Sequence, residues 1–252
     1  MELFDRADPV ITAEGLSLTY QSAEGETQAI RDISLSVKEG EIVSVIGPSG
    51  CGKSTLLSII SGLLEPTSGS VKLRDGGRIG YMLQKDSLFP WRSIYKNVML
   101  GAEIMGDRCV DCAEQLLKTY GLWDFRDSFP SQLSGGMRQR AALIRTLVTQ
   151  PTLLLLDEAF SALDYQTRLA VSDDIYSIIR REKKTALMVT HDISEAVAMS
   201  DRVIVLTRRP AEIKAEYVID FGSDRPTPIK CRSLDGFRRY FDSIWRDIDV
   251  HV

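Results

Sequence analysis

A glycine-rich block, GPSGCGKST, occupies positions 47–55. Its glycines adopt backbone conformations closed to other residues and leave room for N–H groups to face phosphate oxygens. The Lys53 ammonium can reach the β- and γ-phosphates of a nucleotide, and the Ser54 hydroxyl is placed to bind Mg²⁺. Such a block also arises by chance, so the neighbouring segments must show whether it is a phosphate-binding loop. The residues expected to bind phosphate here are Gly47, Pro48, Ser49, Gly50, Cys51, Gly52, Lys53, Ser54 and Thr55.

A phosphate-binding loop lies between a buried strand and a helix, and the segments on either side of this block are predicted to be these elements. Before it, Ile42–Ile46 (IVSVI) is a nearly continuous apolar run, which predicts a strand buried on both faces of a parallel sheet. After it, a helix is predicted over residues 55–62. Strand, loop and helix in this order favour a phosphate-binding loop.

A second buried strand, predicted at 152–156, ends at two carboxylates, Asp157 and Glu158. Ligands of open α/β sheets collect at such strand ends, where Asp157 can hold Mg²⁺. Glu158 can accept a proton from an attacking water or polarise it. An isolated Asp-Glu pair is usually a solvated strand end, but beside a phosphate-binding loop the catalytic interpretation is favoured.

Further motifs follow in a fixed order: Gln84 in YMLQKDSLFPW, LSGGMRQR at 133–140, SALD at 161–164 and His191. With the loop GPSGCGKST and the strand LLLLDE, they make the chain resemble the nucleotide-binding subunits of ABC transporters over about residues 10–222. In that family these motifs are the Q-loop, signature, D-loop, switch histidine, Walker A and Walker B. One departure is Met137, where the signature most often has glutamine, but Ser134 and Gly136 remain.

The residue types in the signature predict a second anion-binding helix start. Ser134 is a good N-cap, the two glycines after it keep the backbone bare, and apolar residues recur at helical spacing over 137–148. The resemblance implies two subunits placed head to tail, in which each signature caps the nucleotide held by the other's loop. The capping residues would be Ser134, Gly135 and Gly136.

The resemblance also assigns roles to the remaining motif residues. Tyr20 would stack on adenine, and Asp164 would contact the partner subunit. His191 would hold the γ-phosphate or the attacking water, and Gln84 would reach both the metal and that water. The implied cofactors are ATP and Mg²⁺. The catalytic set is Glu158, His191, Gln84 and Lys53, and the metal-binding set is Ser54, Gln84 and Asp157.

The pattern of elements predicts an α/β fold: a RecA-like P-loop NTPase core with an antiparallel β subdomain and a helical subdomain. The first ~75 residues alternate strands and turns, with a hairpin tip at 23–27 and an edge strand at 71–73. Residues 91–150 are expected to be helical, with helices at 95–101 and 110–120 before the signature helix. Later strands at 186–190 and 203–206 follow a helix at 165–183. Residues 1–222 thus form the predicted nucleotide-binding domain and 223–252 a tail.

The tail carries an amphipathic helix with an apolar stripe from Leu234 to Ile248. Because its polar face mixes Asp with Arg, we expect it to dock on its own domain or on a second subunit in preference to a membrane. Cys109 and Cys112 form a CxxC on a predicted helix without a second pair, which favours helix packing over metal or redox use.

Composition limits the partners. The chain has 252 residues and a net charge of −4, which gives no general attraction to nucleic acid or anionic lipid. No signal peptide or run approaching ~20 apolar residues is visible. We therefore expect a peripheral protein on the cytoplasmic side of the inner membrane, held there by a protein partner.

The hinge segment Leu88, Phe89, Pro90 and Trp91 is apolar and follows Gln84. These residues either pad the boundary between lobes or, as the resemblance implies, receive a coupling helix from a transmembrane permease. The segments LFPWRSIYKNVMLG and LTRRPAEI, with this form of signature, look like the ATPases of bacterial importers for nitrate, sulfonates and taurine, which work indirectly with a solute-binding protein. The alternatives are an ABC ATPase of translation, repair or assembly, and a P-loop kinase or GTPase, which leaves LSGGMRQR and SALD unexplained.

Overall fold

The computed structural model describes residues 9–22, 25–106, 110–222 and 225–248. One of its two sheets is antiparallel, with the strands β1 (Pro9–Ser22), β2 (Gly25–Lys38) and β4 (Ser68–Leu73) in the order β2-β1-β4. The predicted edge strand at 71–73 is confirmed as the second half of β4. The β1–β2 turn is tighter than predicted, because Ser22 already pairs with Gly25; residues 23 and 24 at its tip lie outside the described residues.

The second sheet has six strands in the order β5-β6-β7-β3-β8-β9, and all neighbouring pairs are parallel except β8 and β9. Sequence reasoning missed its two edge strands. Strand β5 is only four residues long, and β9 shows an alternating burial pattern typical of an edge strand. The strands are β3 (Ile42–Ile46), β5 (Ile79–Met82), β6 (Leu153–Asp157), β7 (Thr185–Val189), β8 (Arg202–Leu206) and β9 (Ile213–Val218).

Continuous apolar runs mark the central strands because both faces of this sheet are covered. In β6, Leu154 and Leu156 pack into a core shared with the helices, whereas Leu153 and Leu155 pack into a core shared with the antiparallel sheet. All five residues of β3 are buried. The sheet is therefore fixed between two apolar layers.

Eight helices lie in the described part of the chain: α1 (Lys53–Ile60), α2 (Ile94–Met105), α3 (Val110–Thr119), α4 (Gly135–Leu147), α5 (Tyr165–Arg181), α6 (Ile193–Met199), α7 (Pro228–Cys231) and α8 (Asp235–Ile248). Helix α1 begins two residues earlier than predicted, since Gly52 at φ 127° acts as its N-cap. Helix α6 was not predicted, although Asp192 followed by Glu195 is a capping signal. The predicted fold class, a P-loop core with an antiparallel β subdomain and a helical one, is confirmed.

The tail helix α8 docks on its own domain. Phe237 and Ile244 are buried in a core shared with α6 and β8. The Tyr217 hydroxyl on β9 donates to the carboxylate of Asp247. Since the apolar stripe is used in this way, docking on the chain's own domain is confirmed over membrane binding; the division of the chain at residue 222 stays a prediction.

The cysteines differ from expectation. Cys112 is in a disulfide bond, so helix packing is not its whole role, and Cys109 lies outside the described residues. Cys51 and Cys231 are buried thiols. Among the described residues, no cluster of three metal-binding side chains is found. None of the described helices is long and apolar enough to cross a bilayer.

If α8 is held by burial of Ile244, an Ile244→Ala variant should lose ~2–4 kcal/mol of unfolding free energy through lost burial and the cavity left behind. Trp245 on the same helix is 53% exposed and serves as the matched control. Urea denaturation of both variants checks this. A Trp245→Ala loss equal to or larger than that of Ile244→Ala would contradict the packing described.

Candidate functional site

The phosphate-binding loop runs from the end of β3 to α1. A Cβ on Gly47 would lie 3.1 Å from the Leu206 carbonyl oxygen, which is tighter than ordinary contact, and Gly50 has φ 72°. The Lys53 side chain is buried, and its Nζ donates to the carbonyl oxygens of Gly47, at 2.9 Å, and Pro48, at 3.1 Å. Its ammonium is thus held inside the loop by weak acceptors that a phosphate can replace.

A residue that sequence reasoning did not single out, Arg209, braces the loop from outside. Its Nη2 donates to the carbonyl oxygen of Gly50 at 2.7 Å. Arg209 lies in the β8–β9 turn, where Thr207 accepts the Glu212 N–H at 2.9 Å. This charge-assisted bond fixes the Gly50 carbonyl. The only sequence signal was the motif LTRRPAEI.

Cys51 does not present its thiol to a ligand. Its side chain is 1% exposed, within the core between the two sheets, and burial raises the pKa of the thiol. Cys51 therefore offers phosphate only its backbone. Because the thiol is buried, its alkylation requires the loop to open first.

The expected metal-binding pair is in contact. The Ser54 Oγ donates to Asp157 Oδ1 at 3.1 Å. Tyr81 on β5, not expected from sequence, donates to Asp157 Oδ2 at 3.3 Å. Burial and the neighbouring carboxylate raise the pKa of Tyr81 to about 12, and burial raises the pKa of Asp157. One hydroxyl and one carboxylate suit Mg²⁺, which takes few protein ligands and completes its shell with phosphate and water.

Three of the expected catalytic side chains meet at Glu158. Its Oε2 accepts from Gln84 Nε2 at 3.4 Å and lies 3.3 Å from His191 Nδ1. The Gln84 amide also donates to Ser161 Oγ at 3.1 Å. Glu158 has φ 43°, the left-handed region that costs free energy for a residue with a side chain, and such strain clusters at functional sites.

Tyr20 lies at the edge of the loop. The residue is 43% exposed, and its hydroxyl is 3.2 Å from the Thr55 hydroxyl at the start of α1. The exposed ring leaves a face for stacking, as expected for an adenine-binding residue.

The signature residues form a separate surface. Ser134 is the N-cap of α4, and its Oγ accepts from the Met137 N–H at 3.3 Å. Asp164 caps α5 by accepting the Thr167 N–H, and hydrogen bonds from the Thr167 hydroxyl and backbone lower the pKa of its carboxyl. In the described part of the chain, no hydrogen bond or ion pair joins Ser134, Gly135 or Gly136 to the phosphate loop. Within one protomer, the N-terminus of α4 therefore does not complete the site formed by the phosphate-binding loop.

Strand, glycine loop and helix, with Ser54 and Asp157 in contact, define a P-loop nucleotide-binding protein. The family model described as ABC transporter matches residues 30–161. A taurine import ATP-binding protein of Jannaschia is 40% identical over 79% of this chain and 78% of its own length. A nitrate import ATP-binding protein of Synechocystis is 38% identical over 91% of each chain.

A solved dimer of MJ0796, a bacterial ABC transporter cassette, is similar with a TM-score of 0.70 and 32% identity, covering 84% of this chain and all of its own. The chain belongs to the ABC transporter family and has the fold of its ATP-binding cassettes. The resemblance stated from the motifs is confirmed.

One buried acid, Glu195 on the helix α6 that follows His191, gives a pH prediction. Glu195 is 4% exposed, and burial raises its pKa from 4.5 to about 7. Between these values the folded protein keeps a proton that the unfolded chain has lost, so stability falls as pH rises and levels off above about 7.

The Glu195→Gln variant cannot ionise at this position. We expect the stability of the wild type relative to the variant to fall by about 3 kcal/mol across that interval, as measured by urea denaturation at a series of pH values. Parallel pH profiles would show that Glu195 does not titrate in this way.

Proposed function

We propose that this protein is the ATP-binding and hydrolysing subunit of a bacterial ABC importer for a small anion such as nitrate, a sulfonate or taurine. The observation that carries the proposal is the arrangement at one sheet edge. The Ser54–Asp157 pair joins the start of α1 to the end of β6, and Glu158 with Gln84 and His191 follows directly.

The nucleotide would be Mg·ATP. The loop amides and Lys53 would hold the phosphates, Ser54 and Asp157 with Gln84 would hold the metal, and Tyr20 would stack on adenine. Mg²⁺ supplies charge neutralisation of the phosphates when it is bound. For Lys53 to bind phosphate, its ammonium exchanges the Gly47 and Pro48 carbonyls for charged oxygens, which form stronger bonds.

In hydrolysis, Glu158 orients the attacking water and takes its proton. Gln84 and His191 both contact the carboxylate, so they fix its position and that of the water. Glu158 sits at a backbone conformation held by its N–H bond to the Val189 carbonyl on β7, at 2.9 Å. The general base is therefore attached to the sheet itself.

The active site is completed by a second copy of the chain. The N-terminus of α4 bears Ser134, Gly135 and Gly136 and is a cradle for an anion, yet it does not contact the loop of its own protomer. Asp164 lies beside it and is exposed. A head-to-tail dimer places this surface on the partner's γ-phosphate, and the dimeric MJ0796 cassette supports such assembly.

A transmembrane permease is the proposed second partner, on the cytoplasmic side of the membrane. The residues of the hinge segment differ in burial. Leu88 is buried in the core shared with the helices, whereas Trp91 is 70% exposed. The centre of the Trp91 ring lies 5.1 Å from that of the Phe89 ring. Leu88 thus pads the lobe boundary, and Phe89 with Trp91 forms a surface for a coupling helix. The solute reaches the permease through a solute-binding protein, and the anion class rests on the taurine and nitrate import relatives.

Loss of the general base separates binding from turnover. A Glu158→Gln variant should bind Mg·ATP and accumulate as a closed dimer while losing ~100-fold or more in turnover. Sedimentation velocity with and without Mg·ATP measures the dimer. Lys53→Ala is the matched variant that weakens nucleotide binding itself, so it should stay monomeric. Absence of the dimer in Glu158→Gln at saturating Mg·ATP would contradict the proposal.

The permease surface is tested by Trp91→Glu. A buried charge at the docked helix should abolish transport in the assembled complex while leaving the turnover of the isolated subunit unchanged. Trp245→Glu, an exposed tryptophan on α8, is the control and should retain transport. Loss of isolated turnover together with transport would assign Trp91 to the lobe boundary. Copurification of the wild type with ribosomes or nucleic acid would favour a non-transport ABC ATPase.

A further inference from the structure

The signature surface is packed tightly against α5 and the segment that precedes it. A Cβ on Gly135 would lie 3.0 Å from Leu163 Cδ2, and a Cβ on Gly136 would lie 2.8 Å from Val171 Cγ2. Since neither position has spare room, movement of the α4 N-terminus is transmitted to Leu163 and the start of α5.

Arg168 on α5 connects Leu163 to the segment that carries the switch histidine. Its Nη2 donates to the Leu163 carbonyl oxygen at 3.0 Å, and its Nη1 lies 3.8 Å from Asp192 Oδ2. Both charged side chains are about three-quarters buried, so solvent screens their attraction only in part.

Asp192 in turn fixes the backbone on both sides of His191. Its N–H donates to Thr190 Oγ1 at 3.1 Å, and its Oδ1 accepts the Glu195 N–H at 3.2 Å as the cap of α6. His191 lies between these bonds, 3.3 Å from Glu158. A displacement of Asp192 therefore changes the position of His191 relative to the general base.

Arg168 also has an unsatisfied hydrogen-bond donor. Its buried Nε has no hydrogen-bond partner among the described residues, and buried polar groups without partners are uncommon in folded proteins. A second arrangement of the Leu163 segment that supplies an acceptor would be stabilised by Arg168. Two discrete arrangements are what a coupling element requires.

We propose that Arg168 is a positioning residue that couples the two ATP sites of the dimer. The signature surface contacts the ATP bound by the partner, whereas His191 contacts the ATP bound by its own protomer. Leu163 and Arg168 link the signature surface to Asp192, and Asp192 positions His191. The proposal rests on the head-to-tail dimer proposed above. Occupation of one site then shifts the switch histidine of the other, which makes hydrolysis cooperative in ATP.

The test measures the Hill coefficient of ATP hydrolysis in the assembled transporter. The wild type should exceed 1, with an upper limit of 2 for two sites, and Arg168→Ala should fall to about 1. Its half-saturating ATP concentration should change by less than about threefold, since Arg168 does not touch nucleotide. Arg168→Lys keeps the charge but can make only one of the two contacts, so an intermediate coefficient is expected.

Asp192→Asn removes the charge while keeping the α6 cap, because Asn caps as well as Asp. The Arg168→Ala/Asp192→Asn double variant should be no less cooperative than either single variant, since all three break the same link. Arg180→Ala is the control: it removes an ion pair with Asp201 at the other end of α5, with similar exposure of both side chains, and should keep the wild-type coefficient.

The outcomes separate this proposal from the function on which it depends. A lower kcat with an unchanged Hill coefficient in Arg168→Ala would reduce the residue to a structural role and overturn the proposal. A wild-type coefficient of 1 would overturn it too, even where the Glu158→Gln dimer forms and supports the ATPase. Failure of that dimer would instead contradict the proposed function.

Discussion

The structure depends on the burial of the central parallel strands between two apolar layers. Because β3, β6 and β7 run in the same direction, their carboxyl ends meet at one edge. That edge receives the phosphate loop from β3, Asp157 and Glu158 from β6, and His191 after β7. The polar groups are thereby held by elements that cannot shift without exposing core side chains.

At this edge of the sheet, Lys53 and Ser54 are hydrogen-bonded to groups that a bound nucleotide can replace. Lys53 is bonded to two loop carbonyls, and Ser54 is bonded to Asp157. Each of these bonds occupies a group that a phosphate or a metal takes in the proposed complex. Arg209 differs, because its bond goes to a backbone carbonyl of the loop, that of Gly50, and involves neither Lys53 nor Ser54. The groups of the site are thus ordered by contacts within the chain.

Sequence predicted most of the fold where local signals and burial agreed. The runs at 42–46 and 153–156, the capping residue Ser134 and the apolar stripe of α8 each carry their own pattern, and each forms the predicted element. Edge strand β5 was missed because four residues are too short for a periodicity. The contacts of Tyr81 with Asp157 and of Arg209 with Gly50 join residues 76 and 159 positions apart, so no local pattern could reveal them.

The central claim is that one ATP is enclosed by two protomers, and complementation between two inactive variants tests it most directly. Lys53→Ala disables the loop and a bulky Ser134→Arg disables the signature, so each variant alone lacks turnover. In a mixed dimer both defects fall in the same site and the other site is intact, so turnover should return on mixing. If the mixture remained as inactive as its components, the shared site would be contradicted.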